Sequence, residues 1–161
     1  MAQADYFLKI DGIPGESLDD KHKDEIQLES WSWGETQSGS HSAGGGGGVG
    51  KVSMQDFSFA MKVNKASPEL FLTCATGKHI PAALLTCREA GGKQQEFLKI
   101  KFTGLLISSF QTGGSGGEIK PLESITFNFT EIAYTYAAQD DKGNLLAPIT
   151  HKYDLKKSVG S

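Results

Sequence analysis

The segment from Gly45 to Lys51 has the spacing closest to a chemical motif in this chain of 161 residues. A phosphate-binding loop needs Gly-x-x-x-x-Gly-Lys followed by Ser or Thr, because that hydroxyl holds the magnesium ion. Gly45, Gly50 and Lys51 fit, but Val52 stands at the position of the hydroxyl. A strand is expected to follow, whereas a bound phosphate needs the amino end of a helix. The segment therefore does not predict nucleotide binding.

The histidines and carboxylates form no recognisable catalytic or metal-binding pattern. The four histidines are far apart and lack metal-ligand spacing with one another or with the cysteines: His22, His41, His79 and His151. The acidic residues between Asp19 and Glu25 alternate with Lys21 and Lys23, which is typical of a solvated charged loop. The chain contains no Gly-x-Ser-x-Gly nucleophile elbow. We therefore predict a protein that is not an enzyme and that uses no metal or other cofactor.

Composition excludes several further classes of protein. The net charge of -3 argues against a nucleic-acid partner, because such binders usually carry a clear basic excess. No apolar stretch approaches the roughly 20 residues of a membrane span, and Met1 to Asp11 lacks the features of a signal peptide. We expect cytoplasmic synthesis, no membrane insertion, and two reduced and mostly buried cysteines, Cys74 and Cys87, with a single disulfide as the alternative.

Two long strands joined by a glycine-rich turn organise the chain. The first is predicted from about Phe97 to Phe110 and the second from about Ile119 to Tyr136, with the turn at Gly113–Gly117. Alternation places one set of apolar side chains of the first strand on a single face: Leu98, Ile100, Phe102, Leu106 and Phe110. Strands this long exceed the usual length of roughly 5–6 residues, so we expect the sheet to curl into a barrel.

The alternation of the second strand changes phase part of the way along. Ile125, Phe127 and Phe129 share one face, but Glu131 then takes the apolar parity. A phase change inside a strand predicts a β-bulge or a sharp bend near Thr130. The alternative is that both faces are covered there, one by the core and one by a neighbouring subunit.

A second region also predicts apolar surface on two sides. Ile26, Leu28 and Ser30 share one face of a predicted strand, and Trp31 and Trp33 have the opposite parity. Ser32, between the tryptophans, is expected to point away from them. Apolar side chains on both sides of one strand indicate either a self-associating module or ordinary core packing. The loop that follows, from Gly34 to Gly50, has no apolar anchors, and loops of that length are usually functional or disordered.

One helix is predicted, with Ser67 as its N-cap, Pro68 at its first position and Gly77 as its end. Leu70, Phe71 and Cys74 fall on one face of it, which is expected to pack on the sheet. One helix among about seven strands indicates a mainly β fold. We predict a curled antiparallel β-barrel of two packed sheets with one short α-helix, in a single domain over residues 1–161.

Several stretches together resemble the Hcp family, the haemolysin-coregulated proteins of bacterial type VI secretion. They are the opening Tyr6–Ser17, the Trp31–Gly34 motif, the glycine loop into Gly50-Lys51-Val52, the helix segment Ser67–His79, and Thr112–Gly117. These segments cover almost the whole chain in order, so the match is highly specific.

The resemblance implies a structural role. Members of this family assemble as a homohexamer, a ring that stacks on other rings into a tube inside a contractile sheath. The tube carries a VgrG spike, holds and chaperones small effector proteins in its lumen, and is expelled to the extracellular space or a target cell without a signal peptide. The alternative reading, a monomeric barrel that binds a small ligand, is disfavoured by the bulky interior residues Phe102, Phe127 and Phe129.

The resemblance also assigns expected roles to individual residues. A ring-stacking loop that reaches the adjacent ring would contain Ser38, Gly39, Ser40, His41, Gly44, Gly47 and Gly50. Ser32 would face the lumen and contact effectors. The residues of the shared structural motifs are Trp31, Trp33, Ser67, Pro68 and Gly77.

Overall fold

The computed structural model describes residues 3–39 and 50–161. Within these ranges one helix, α1 (Ala66–Thr76), accompanies a series of strands. The strands are β1 (Ala4–Ile10), β2 (Ile26–Leu28), β3 (Ser30–Ser32), β4 (Glu35–Gln37), β5 (Val52–Met54), β6 (Phe57–Lys62), β7 (Ile80–Glu89), β8 (Glu96–Gly113), β9 (Leu122–Asn128), β10 (Glu131–Tyr136), β11 (Ile149–Asp154) and β12 (Val159–Gly160). In the described part of the chain, no helix is long and apolar enough to cross a membrane. The expected mainly β fold with one short helix is confirmed.

The strands form two packed layers that share β8. Sheet A has the order β12-β11-β10-β8-β7-β1-β2, and sheet B consists of β3, β6, β9 and the carboxyl half of β8. All of these pairs are antiparallel. Strand β2 pairs only with β1, and β3 pairs only with β6, so hydrogen bonds do not close the described strands into a barrel. The predicted barrel is therefore two curled sheets around one core.

Phenylalanine rings fill the space between the sheets. Phe57, Phe59, Phe102 and Phe127 are fully buried. The ring centroid of Phe57 lies 4.8 Å from that of Phe102 and 5.1 Å from that of Phe127, distances at which aromatic pairs add to the free energy of burial.

Burial also raises the pKa of the Cys87 thiol to about 12, and both cysteines are free, with Cys87 buried and Cys74 half-buried.

The alternation of buried and exposed residues along β8 changes phase at Gly104 and again at the register shift between Ile107 and Ser109. This corrects the apolar face predicted for the strand. Gly104 has φ +67°, and a Cβ atom there would clash with Thr130 Oγ1, so glycine permits the bend. Beyond it Leu105 and Ile107 are buried and Leu106 is only half-buried, contrary to the alternation read from the sequence. This phase change lets one long strand leave sheet A and enter sheet B.

The predicted bend of the second long strand is confirmed. Strand β9 ends at Asn128 in sheet B, and β10 begins at Glu131 in sheet A. Between them the backbone N–H of Thr130 donates a hydrogen bond of 2.9 Å to the carbonyl of Thr103, and its Oγ1 donates one of 3.0 Å to the same carbonyl. The bend therefore carries the chain from one sheet to the other.

The tryptophan strand also passes from one sheet to the other, which corrects the prediction of a strand that is apolar on two sides. It is interrupted at Glu29, whose N–H donates a 2.8 Å hydrogen bond to the carbonyl of Ala60. Trp31 then stacks on Phe57 at 6.1 Å, and Trp33 packs against the same core. Ser30 is exposed and does not share the buried face of Ile26 and Leu28. Ordinary core packing explains both tryptophans.

The helix begins two residues earlier than predicted, at Ala66 instead of Pro68, and Ser67 is not its N-cap. The first amide of the helix, at Ala66, donates a 2.8 Å hydrogen bond to Asn64 Oδ1. Ser67 instead donates its hydroxyl to the buried carboxylate of Glu123 on β9. Pro68 lies within the first turn, where its missing N–H leaves no helical bond unmade.

The predicted end of the helix is confirmed, and part of its predicted inner face is wrong. Gly77 has φ 68°, and its N–H donates a 3.1 Å hydrogen bond to the carbonyl of Thr73, as in a helix that ends on a left-handed residue. Leu70 is buried as expected, but the side chain of Phe71 is 58% exposed.

The charged connector after β1 is not a freely solvated loop. Its Asp19 accepts hydrogen bonds of 2.6 and 2.9 Å from the buried guanidinium of Arg88 on β7, which also donates to Asp5. Its His22 is buried, with Nδ1 2.9 Å from Glu25 Oε2 and Nε2 2.7 Å from an oxygen of Glu96. These residues form what we call the ion-pair cluster, which holds the connector on sheet A.

Candidate functional site: a hydroxyl-lined face of sheet B

The outward side of sheet B carries a row of hydroxyl groups centred on the tryptophan strand. Directly paired residues of antiparallel strands lie on the same face of a sheet. The register pairs Ser32 with Ser58, Ser58 with Thr126, and Thr126 with Ser109. Four strands therefore contribute one hydroxyl each to a single row across the sheet. The residues between them along each strand, such as Phe57, face the core.

A second row lies beside the first. Its members, paired in the same way, are Ser30, Ala60, Ser124 and Gln111. We call the eight residues of the two rows the hydroxyl face. None of them is charged, and all are exposed or half-buried. The two rows together are therefore polar and uncharged, with Ala60 as the apolar member.

A bulge in β8 adds another hydroxyl and joins the groups by hydrogen bonds. The register shifts between Ile107 and Ser109, so Ser108 is an extra residue on that strand. Thr126 Oγ1 lies 2.7 Å from Ser108 Oγ and 2.6 Å from Ser109 Oγ. Ser108 Oγ also donates a 2.5 Å hydrogen bond to Asp56 Oδ2. Several polar atoms of the face therefore have hydrogen-bond partners within the protein.

Charged residues lie at the margins of this face. Lys62 Nζ is 3.9 Å from Glu29 Oε1 at one margin, with both side chains more than half exposed. Asp56 lies at the other margin, next to Ser108. The neutral area between these margins could make many weak hydrogen bonds but offers no strong electrostatic contact.

Sequence reasoning found only one member of the face. Ser32 is exposed and lies on the opposite parity from the core-packed Trp31 and Trp33, in the orientation expected for it. The remaining members required the strand register, although a signal exists: Ser58 alternates with Phe57 and Phe59. Whether Ser32 contacts effectors stays a prediction.

The predicted ring-stacking loop is described only at its base. Ser40, His41, Gly44 and Gly47 lie outside the described residues. Strands β4 and β5 pair as a small hairpin separate from sheets A and B, so residues 35–37 of the loop predicted from Gly34 to Gly50 are a strand that precedes the ring-stacking residues. Next to this hairpin, the N–H of Gly39 donates a 3.0 Å hydrogen bond to Gln37 Oε1, and Ser38 Oγ donates one of 3.4 Å to the carbonyl of Lys51. The described residues resume at Gly50.

In residues 3–39 and 50–161 no three His, Cys, Asp or Glu side chains come close enough to hold a metal ion. The ion-pair cluster has the most titratable groups in this part of the chain, and its carboxylates bond to Arg88 or to His22. A hydrogen bond from Arg88 lowers the pKa of Asp19 below its ordinary value. Burial alone would raise the pKa of Glu96, but hydrogen bonds from His22 and Lys99 outweigh it and hold that pKa below its ordinary value. These contacts stabilise structure.

Comparison with known proteins identifies the family. The family described as "Type VI secretion system effector, Hcp" matches residues 7–136. The protein hcp1 of Pseudomonas aeruginosa is 46% identical over 157 residues, which cover 96% of this chain and 97% of that protein. The chain belongs to the Hcp family and is a protein of the bacterial type VI secretion system.

Solved structures agree with this assignment. A structure described as a type six secretion system protein superposes with a TM-score of 0.93 at 29% identity, over 99% of this chain and 100% of that one. Hcp1 from Salmonella typhimurium has a TM-score of 0.80 at 39% identity, with the same coverage. A type VI secretion system effector from Yersinia pestis has a TM-score of 0.75 at 38% identity, over 92% and 98% of the two chains. The expected family and, with it, the expected role as a tube subunit are confirmed.

Proposed function

We propose that this chain forms a homohexameric ring whose lumen is lined by the hydroxyl face, and that small effector proteins travel in that lumen. The observation that carries this assignment is the continuous row of hydroxyls Ser32, Ser58, Thr126 and Ser109 on the outward side of sheet B. The same residues present no charge and no large apolar group. Residues 1–161 act as one structural unit in this proposal.

The chemistry of the face suits a channel that must hold cargo and also release it. A hydrogen bond to a neutral group contributes about 0.5–1.5 kcal/mol net, so a few such contacts retain a cargo protein without trapping it. An apolar lining would bind unfolded or sticky segments more tightly, because burial is worth about 25 cal/mol per Å². A charged lining would select cargo by its net charge.

We propose the remaining parts of the assembly from the resemblance to the family. The segment from Ser38 to Gly50 contacts the next ring in the stack, a VgrG spike caps the tube, and a contractile sheath surrounds it. The protein is made in the cytoplasm and leaves the cell with the tube. It acts without catalysis and without a cofactor, because its mechanism is the geometry of closed and stacked rings.

The central test replaces Ser32 with a larger amide. Ser32→Gln projects a longer side chain from the middle of the row, so we expect rings to form normally while effector retention on co-purification falls severalfold. Thr150→Gln is the matched control, because Thr150 is an exposed hydroxyl on β11 that pairs with Thr135 on sheet A, away from the hydroxyl face. It should leave effector retention unchanged.

Sedimentation velocity over a range of concentrations checks the ring itself. A species near six times the chain mass of 17.3 kDa is expected for the wild type and for both variants. A wild-type monomer at every concentration would overturn the ring. Rings of Ser32→Gln that retain every effector as well as the control would instead overturn the lumen assignment.

The alternative of a monomeric barrel with an interior ligand finds no support in the core. Phe57 and Phe102 lie between the sheets with no exposure, at the position such a ligand would occupy. Their rings are in contact with that of Phe127.

A further inference from the structure

The buried imidazole of His22 bonds to a carboxylate on each side. Its Nδ1 lies 2.9 Å from Glu25 Oε2 in the same connector, and its Nε2 lies 2.7 Å from Glu96 Oε1 at the start of β8. An ionised carboxylate can only accept a hydrogen bond, and a neutral imidazole carries a single N–H. Both bonds can therefore form together only while both ring nitrogens carry a proton.

The charged groups packed around His22 favour this second proton. The carboxylates of the ion-pair cluster come from β1, the connector and β8: Asp5, Asp19, Glu25 and Glu96. The cations beside them are Arg88 on β7 and Lys99 on β8, so negative charge is in excess unless the imidazole is also a cation. Burial raises the pKa of Glu96, but hydrogen bonds from His22 and Lys99 outweigh it, so this carboxylate is ionised at neutral pH.

The ring of His22 also covers an aromatic side chain outside the core between the sheets. Phe7 on β1 alternates with Leu8, which belongs to that core, so Phe7 lies on the outward side of sheet A. Its ring is stacked on that of His22, with the centroids 4.4 Å apart, and Cζ of Arg88 is 4.7 Å from the same ring. Phe7 is only 2% exposed. The connector therefore keeps Phe7 out of water by means of these two side chains.

The two attachments of the connector to sheet A respond differently to pH. Arg88 donates hydrogen bonds to Asp19, and a guanidinium keeps its proton throughout the pH range in which proteins are folded. A histidine in an unfolded chain, in contrast, loses its proton at about pH 6.5. A rise in pH therefore acts on the attachment through His22 and leaves the attachment through Arg88 in place.

We infer that His22 is a proton-dependent latch, which fastens the end of the connector to β8 while both of its ring nitrogens are protonated. Loss of one proton leaves a nitrogen lone pair facing a carboxylate oxygen, so one of the two bonds becomes a repulsion. The segment around His22 then leaves the sheet, while Asp19 stays on Arg88. Because the closed state binds a proton that the open state releases, closure weakens as the pH rises. The latch lies within one chain and does not depend on the proposed ring.

Limited digestion with trypsin measures the opening of the latch. Lys21 and Lys23, on either side of His22, are exposed, and cleavage after them requires the connector to leave the sheet. Lys156 and Lys157 are exposed near the end of the chain and serve as the internal standard for protease activity at each pH. We expect the ratio of connector cleavage to standard cleavage to rise severalfold between about pH 6 and about pH 9. A constant ratio would overturn the latch.

Three variants separate the latch from a general effect of pH. In Glu96→Gln the side-chain amide can donate to the unprotonated Nε2, so the bond survives loss of the proton and the cleavage ratio should stay low at both pH values. In His22→Gln the bridge between the two carboxylates is lost, so the ratio should be high at both. His79→Gln is the matched control, because His79 is exposed and lies outside the cluster, and it should behave as the wild type.

The outcomes that contradict the latch are equally specific. A Glu96→Gln protein that opens with rising pH as the wild type does would overturn it, and so would a His22→Gln protein that keeps the wild-type pH dependence. Far-ultraviolet circular dichroism of the wild type should be the same at both pH values. A loss of the sheet signal at the higher pH would show that the whole fold opens, and that result would also overturn a local latch.

Discussion

The two sides of this molecule use polar residues in opposite ways. On the hydroxyl face, Thr126 bonds to Ser109 and to the neighbouring Ser108 at a surface that remains open to water. In the ion-pair cluster, Arg88 is 3% exposed and His22 is 6% exposed, so bonds to carboxylates take the place of most of the water around these two side chains. The first side is open to the cargo that we propose for it, and the polar groups of the second attach the chain to itself.

This difference predicts which substitutions reduce the stability of the protein and which do not. Removing the partner of a buried charge lowers the free energy of unfolding, because neither water nor another group replaces the lost bond. An exposed hydroxyl that is removed is replaced by water at little cost. We therefore expect variants in the cluster to change stability and variants in the hydroxyl face to change contact with cargo.

The largest effect is expected at Arg88. Arg88→Met leaves the carboxylates of Asp5 and Asp19 without their shared cation, and breaking a buried ion pair typically costs about 3–5 kcal/mol. We expect about 3 kcal/mol, since both carboxylates are partly exposed. Urea denaturation at pH 7 measures the loss.

Lys99→Met is the matched control for that substitution. Lys99 lies on the same face of sheet A, but it is exposed and pairs with Glu96 at 3.3 Å. Exposed pairs contribute about 0–1 kcal/mol. Equal losses for the two variants would show that burial does not distinguish the cluster from ordinary surface charge.

A second, smaller effect is a dependence of stability on pH. The pKa of Asp19 is below its ordinary value in the folded protein, so its contribution to stability is complete above the unfolded value of about 3.9. That contribution is lost as pH falls through the lower, folded value. Asp19→Asn removes it, so the urea midpoints of wild type and variant should converge between about pH 5 and pH 2. Midpoints that stay parallel over that range would contradict the assignment.

The smallest effect on stability is expected in the hydroxyl face. Ser109→Ala removes one partner of Thr126, but water can reach the half-buried site and Ser108 still bonds to Thr126. The free energy of unfolding should change by less than about 0.5 kcal/mol. A loss near that of Arg88→Met would mean that the face is part of the structural frame and would erase the contrast between the two sides.

Several features of the fold were predictable because local sequence dictates them. Gly77 ends the helix, since the left-handed conformation there strongly favours glycine. The alternation of Leu98, Ile100 and Phe102 predicted a strand with one buried face, and the amino half of β8 has it. The bend at Thr130 was visible as a phase change.

Other features were not predictable because they depend on partners distant in the chain. Ser67 looked like an N-cap, but the buried carboxylate of Glu123, 56 positions away, takes its hydroxyl. The connector that holds His22 looked solvated, because Arg88 and Glu96 lie far along the chain. Neither pairing has a signature in local composition.

The amino-acid sequence was enough to identify the family, to predict antiparallel strands, and to show which side of the amino half of β8 faces the core. The alternation of side chains with period 2 is a local property, so it can be read from the sequence alone. Which strands lie side by side is known from the folded structure. That register brings Ser32, Ser58, Thr126 and Ser109 from four separate strands into one row. It also carries Tyr134 past the edge of the core, because pairing between strands is a long-range choice that no single strand encodes.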